Sequence, residues 1–163
     1  MPAYEHRHVV GFEETSLVGN VYFTNYLLWQ GHCREMFLKD CCPEVLQLLE
    51  RREVAFFTKS CSCDWRGEWG FAGLDEVLVR MKLARFRGGR MWLEFTYSPA
   101  ARPDEIVATG TQEVHCKANR DGTWVPAPFP APLANALLSY ADTEEIRSAL
   151  REALEFGAAG RSP

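Results

Sequence analysis

The fold class this sequence predicts is α+β, with a curved antiparallel sheet wrapped around one long central helix. Three observations predict it. Between Asn25 and Asp40 apolar residues recur at helical spacing. After Arg52, about 65 residues read as successive strands broken by turn residues. Within one of them Val77, Val79, Met81 and Leu83 alternate with Arg80 and Lys82, the pattern of a sheet with one packed face. A strand, a long helix and then four or five antiparallel strands give a helix laid on a sheet.

The elements follow in order. Glu5 to Phe12 is rich in β formers and reads as the first strand. Glu13 to Asn20 holds turn and cap residues leading into the long helix, whose buried stripe is Trp29, Cys33, Met36 and Phe37. Tyr26, Gln30 and Arg34 form a second, amphipathic stripe at i, i+4 spacing, suited to lining a cavity or to forming a half-exposed flank. Pro43 opens a short helix through Glu50. The strands are Glu53 to Trp65, Glu76 to Arg87, Arg90 to Ser98 and Glu105 to Lys117. Gly88-Gly89 suits a tight hairpin, and Asn119 to Thr123 suits another. The prolines from Pro126 to Pro132 favour a surface segment over a sheet strand. Asp142 or Thr143 caps a last helix running to about Phe156.

With 163 residues, 47% of them hydrophobic, the chain fits one domain, residues 1–156, with 157–163 as a frayed tail. Twenty-two acidic against 18 basic residues give a net charge of -4, which argues against nucleic acid as a partner. No apolar run approaches the roughly 18 residues that span a bilayer, and the charged N-terminus lacks a signal peptide's apolar stretch, so a cytoplasmic protein is expected. Six cysteines in such a chain read as reduced thiols. Cys41 with Cys42 and Cys61 with Cys63 are spaced too closely for the usual structural zinc pairs, so no metal and no cofactor is expected.

The segment Glu14-Thr15-Ser16-Leu17-Val18-Gly19-Asn20-Val21-Tyr22-Phe23-Thr24-Asn25-Tyr26 resembles the N-terminal signature of the 4-hydroxybenzoyl-CoA thioesterase group of hotdog-fold enzymes, with Gly19, Asn25 and Tyr26 at the matching places. Gly-Asn-Val-Tyr, Trp-Gln-Gly and Cys-Arg-Glu-Met-Phe-Leu, all between Gly19 and Leu38, are similar to the thioesterases of enediyne polyketide biosynthesis. The wider group has a catalytic carboxylate three residues before the glycine; here that place is Ser16, and the enediyne enzymes commonly have asparagine there.

The resemblance implies hydrolysis of a linear polyene or β-keto polyene acyl thioester carried by the acyl carrier domain of an iterative polyketide synthase. It also implies a homotetramer built as a dimer of dimers. It places the functional arginine on Arg34, with Ser16 orienting the carbonyl or the water. Thioester hydrolysis needs an oxyanion site, which backbone N–H groups pointing outward at the helix entrance, around Asn20 to Phe23 and Phe23 above all, can provide. Gly19, Asn20, Tyr26, Gln30 and Glu35 are the candidate substrate-binding residues around them. The general base stays open between Glu14, Glu35 and none. Arg80, Lys82, Arg85, Arg87 and Arg90 lie in a stretch without an acid and would hold an acidic carrier domain and the phosphate of its pantetheine arm. Rival readings are an acyl-CoA thioesterase, a non-catalytic acyl-binding module and a dehydratase using His32 with Glu35.

Overall fold

The computed structural model describes residues 2–67 and 70–159. Strand β1 (Tyr4–Val9) leads through a 3-10 turn (Phe12–Glu14) to helices α1 (Thr24–Cys41) and α2 (Pro43–Glu50). Four long strands follow: β2 (Val54–Trp65), β3 (Glu76–Arg87), β4 (Arg90–Pro99) and β5 (Ala108–Arg120). Short β6 (Thr123–Pro126), helix α3 (Ala131–Leu137) and helix α4 (Glu144–Ala159) close the described chain. The sheet is antiparallel in the order β1-β3-β4-β5-β2, with β6 added to the end of β5. The α+β architecture expected from the sequence is therefore present.

At 100° per residue, Tyr26, Gln30, Cys33 and Phe37 fall within a narrow arc of α1. All four are buried, with Trp29 beside them. They meet Val77, Val79, Met81 and Leu83 of β3 and Leu93, Phe95 and Tyr97 of β4 in one core. Each large apolar side chain so buried contributes roughly 1.5 to 3 kcal/mol. The two stripes read from the sequence are thus one buried face: Met36 and Arg34 stand at its flanks, and Glu35 points to the opposite side, exposed. Gln30 is wholly buried, and its Nε2 donates to the Ser62 carbonyl of β2 at 2.8 Å.

Several boundaries differ from the sequence reading. β1 ends at Val9, because the chain turns at Gly11, whose N–H donates to the Glu14 carboxylate. β5 begins at Ala108 rather than Glu105, whose N–H instead closes a turn onto the Arg102 carbonyl. Pro126 does join the sheet, opposite Lys117 at the end of β6, where a missing N–H costs little. Helix α3 was hidden by the prolines: Pro132 sits at its second position, where no N–H is needed, and Leu133, Ala134 and Leu137 are buried. The last helix, capped by the Thr143 hydroxyl accepting from the Ile146 N–H, runs past Phe156 to Ala159. The expected frayed tail is therefore helical over 157–159, and 160–163 lie outside the described residues. The β3–β4 hairpin turns on Gly88 with φ +52°, as the Gly-Gly pair suggested.

Gly110 of β5 makes room for the Gln30 amide: a Cβ there would stand 2.1 Å from Gln30 Nε2 and 2.9 Å from the Ser62 carbonyl. Gly110→Ala is expected to lower stability by about 1 to 3 kcal/mol, the cost of overpacking a close helix-sheet approach. Denaturant unfolding of the two proteins checks this; equal midpoints would show that the Gln30 contact is dispensable.

Candidate active site

Between the 3-10 turn and α1 the chain folds into a compact loop. The Ser16 N–H donates to the Asn20 carbonyl at 2.7 Å, the Gly19 N–H to the Ser16 carbonyl at 2.9 Å, and Gly19 adopts φ +88°, which favours glycine. Ser16 Oγ donates to Asn20 Oδ1 at 2.5 Å. Ser16, Asn20, Tyr22, Phe23, Tyr26 and Trp65 line a pocket of about 410 Å³ at the entrance of α1.

The helix entrance has no side-chain cap. Of the N–H groups expected to point outward, Val21 donates to the Phe71 carbonyl at 2.7 Å and Tyr22 to the Glu14 carbonyl at 2.8 Å. Those two are committed to the fold, which corrects the broader expectation for Asn20 to Phe23. The Phe23 N–H has no acceptor among the described residues, and it stands at the positive end of an 18-residue helix.

Glu14 is locked. Its carboxylate accepts from Trp29 Nε1 at 2.7 Å and from the Gly11 N–H at 2.8 Å, and it pairs with His8 Nε2 at 2.8 Å. Its backbone carbonyl takes the Asn25 side-chain amide as well as the Tyr22 N–H. Burial alone would raise its pKa, but the donors from Trp29, His8 and Gly11 outweigh that and hold it below the usual carboxylate range. So tightly held a carboxylate is a poor proton acceptor, and Glu14 pins β1, the loop and α1 together.

On α1, Tyr26 is buried among the rings of Trp29, Trp65, Phe71 and Tyr97, with its hydroxyl against Gly70, where a Cβ would come within 2.2 Å. It forms the pocket floor, and burial pushes its hydroxyl pKa up. Arg34 lies eleven residues after Phe23, roughly 16 Å along the helix. Its Nη1 donates to Gln112 Oε1 at 2.9 Å and Thr58 Oγ1 at 3.1 Å, and no carboxylate pairs with it among the described residues. Within one chain, Ser16, Asn20, Tyr26 and Phe23 come together, whereas Arg34 does not join them. Gln30 is in the core and does not line this pocket. Glu35 faces away, 3.9 Å from His32, and both are largely exposed, which leaves the dehydratase pair outside the pocket.

Against solved structures, the chain is 44% identical to the dynemicin thioesterase, whose crystal structures reveal induced-fit and allosteric effects upon polyene binding; the match covers 86% of this chain and 99% of that one, with a TM-score of 0.79. This chain belongs to the enediyne thioesterases of the hotdog fold. A 1,4-dihydroxy-2-naphthoyl-CoA thioesterase from Synechocystis (20% identity, 83% of this chain and 95% of that one, TM-score 0.71) shares the fold. So does a gentisyl-coenzyme A thioesterase (19% identity, 81% and 97%, TM-score 0.66). No family model and no curated protein sequence matches the chain.

The basic residues of this thioesterase divide. Arg80 pairs with Glu5 at 2.7 Å and donates to the Pro103 carbonyl, and Lys82 pairs with Asp142. Arg85 stacks over Trp92 at 4.6 Å. Arg87 and Arg90, however, meet His115 and Lys117 around a second pocket of about 400 Å³ at the β3–β4 hairpin. Sequence reading missed His115 and Lys117, because only the β4–β5 register, Arg90 opposite His115, brings them beside the hairpin. Among the described residues no group of three His, Cys, Asp or Glu is arranged to hold a metal, and no cysteine is in a disulfide. No helix among them is long and apolar enough to cross a membrane.

Glu14→Gln is expected to cost about 1 to 3 kcal/mol at neutral pH through weakened charged hydrogen bonds. Because the folded pKa of Glu14 is depressed, its contribution is fully present above the unfolded carboxylate pKa and fades as pH falls through the lower folded value. Unfolding free energies followed from neutral to acid pH should therefore fall less steeply for Glu14→Gln than for wild type. Parallel acid limbs would rule out this role.

Proposed function

We propose that this thioesterase releases a linear polyene or β-keto polyene acyl chain from the acyl carrier domain of an iterative polyketide synthase. The observation that carries the reading is the 44% identity, over nearly the whole of its length, to a thioesterase that binds a polyene. A water adds to the thioester carbonyl, the tetrahedral oxyanion collapses, and the carbon–sulfur bond breaks to give the free acid and the carrier thiol.

The Phe23 N–H and the dipole of α1 stabilise the oxyanion, and one such donor contributes on the order of 3 to 4 kcal/mol. Ser16, fixed by Asn20, orients the water or the carbonyl. Among the described residues no free carboxylate lines the pocket, and a reaction without a strong general base gives up roughly a hundredfold to ten-thousandfold in rate. Arg34 supplies the charge: no carboxylate pairs with its guanidinium among the described residues, which leaves it available to the acyl or β-keto oxygens.

One protomer separates Arg34 from the Ser16 pocket, and a second copy completes the site. β2 is an edge strand of the sheet, and Phe57 to Ser62 along it are exposed. Exposed Leu17, Val18, Tyr22, Phe23 and Leu28 surround the helix entrance, more apolar surface than a lone protomer leaves bare. Two β2 edges paired antiparallel bring the helix entrance of one protomer towards Arg34 of the other, and two such dimers give the tetramer. Arg87, Arg90 and Lys117 hold the phosphate of the pantetheine arm, beside His115, whose ring pairs with Glu113 at 2.6 Å. Gln112, which binds Arg34, lies three residues before His115, roughly 10 Å along β5, within reach of an extended arm.

The test is incubation of the purified protein with a loaded polyketide synthase carrier domain, with the released acyl acid followed by mass spectrometry. Wild type is expected to release product, and Arg34→Ala to release it roughly a hundredfold or more slowly. Binding of the loaded carrier without release beyond the no-protein control would replace the reading with an acyl-binding module. Faster turnover of the free coenzyme A ester would move the substrate to that carrier.

A further inference from the structure

A cavity larger than the Ser16 pocket lies at the opposite edge of the sheet. β1 stops at Tyr4, opposite Met81, so the outer edge of β3 from Leu83 to Arg87 pairs with no strand. Helix α4 runs alongside it. Its start is anchored by the Lys82–Asp142 ion pair, and its end lies at Ala131, whose Cβ would be 3.5 Å from a Cβ on Gly157. Between strand and helix is a slot of about 730 Å³, within the range of small-molecule sites. From Ile146 to Gly157 its helical wall is roughly 16 Å long.

The slot has two kinds of wall. Phe86, Phe129, Ile146, Ala149, Ala153 and Phe156 make it predominantly apolar. Ala149 and Ala153, one turn apart, keep the channel open, and Phe156 is 79% exposed with nothing packed over it. At the hairpin end stand Arg85 and Arg87. Arg85 lies over the Trp92 ring, and among the described residues neither it nor Arg87 makes an ion pair. Glu145 and Glu152 also line the slot, on the helical wall, and neither is within ion-pair distance of these arginines. An open apolar channel ending at two unneutralised guanidinium groups matches one shape of ligand.

We propose that the slot binds a linear long-chain carboxylate, its hydrocarbon along the phenylalanine wall and its carboxylate at Arg85, with Arg87, shared with the hairpin pocket, beside it. The slot shares no lining residue with the Ser16 pocket, and its one overlap with the hairpin pocket's arginines is Arg87. The acid released by the thioesterase is of this class, but the slot's own walls define the ligand, whatever the natural acyl chain.

The probe is parinaric acid, a linear conjugated tetraene fatty acid that fluoresces when it leaves water, titrated into the full-length protein. Wild type is expected to bind one more molecule per chain than Ala153→Trp, which fills the slot. Methyl parinarate, lacking the charge, should bind the slot about threefold to tenfold more weakly than the acid. Phe156→Ala removes an exposed ring at no cost to folding and should weaken binding several-fold, so the test survives if Ala153→Trp does not fold. Hydrolysis of a carrier-bound acyl thioester should be equal in wild type and Ala153→Trp. A titration unchanged in both variants, or equal binding of acid and ester, would overturn the slot. Loss of hydrolysis in all proteins with the titration intact would instead sink only the thioesterase reading.

Discussion

The carboxylate of Glu14 sits where three parts of the chain must meet: the end of β1, the loop that carries Ser16 and the first turns of α1. It takes hydrogen bonds from Trp29 and the Gly11 N–H and pairs with His8, while its own carbonyl holds Tyr22 and Asn25. A partly buried carboxylate without such donors would be costly. With them it is the fixed point from which the helix entrance is built. The Val21 and Tyr22 N–H groups are consumed in holding that entrance, and the Phe23 N–H is left over. The proposed oxyanion site is what remains after the loop has satisfied its own backbone.

The same logic of commitment sorts the side chains of α1. Those at the centre of its buried arc have no freedom: Tyr26 is boxed by aromatic rings and Gln30 is threaded over Gly110 to the β2 backbone. Arg34, at the margin of the arc, reaches only neutral oxygens on Gln112 and Thr58. Burial lowers its pKa, yet a guanidinium stays charged, so the protein keeps a desolvated cation in reserve. Its distance from the helix entrance is why the proposed site draws on two chains.

Charge on the outer face is divided in a similar way. Arg80 and Lys82, near the middle of β3, are spent on Glu5 and Asp142, which tie down β1 and the start of α4. At the hairpin His115 pairs with Glu113, whereas Arg87 and Arg90 make no ion pair among the described residues, and the two cavities there share Arg87 as a wall. A stretch that looked uniform in sequence is tied to acids of other elements at one end and lines cavities at the other.

The sequence by itself determined the layers, because periodicity of apolar side chains reports which face of each element is buried: β3 and α2 came out to the residue, and α1 within one at each end. It also determined family membership, through the run from Gly19 to Leu38. Helix α3 was not legible, since prolines at its start hide a helix whose identity rests on three buried residues. Which of Ser16, Tyr26, Gln30, Arg34 and Glu35 share a pocket was decided only by the tertiary structure. Angular position on a helix says how near a residue is to the core, but not which atoms of other strands reach it first. Gln30 was taken by Ser62, Glu14 by Trp29 and His8, and the cationic pocket required the β4–β5 register to place His115 and Lys117 beside Arg90. Such pairings depend on contacts between residues far apart in the chain, which no local pattern encodes.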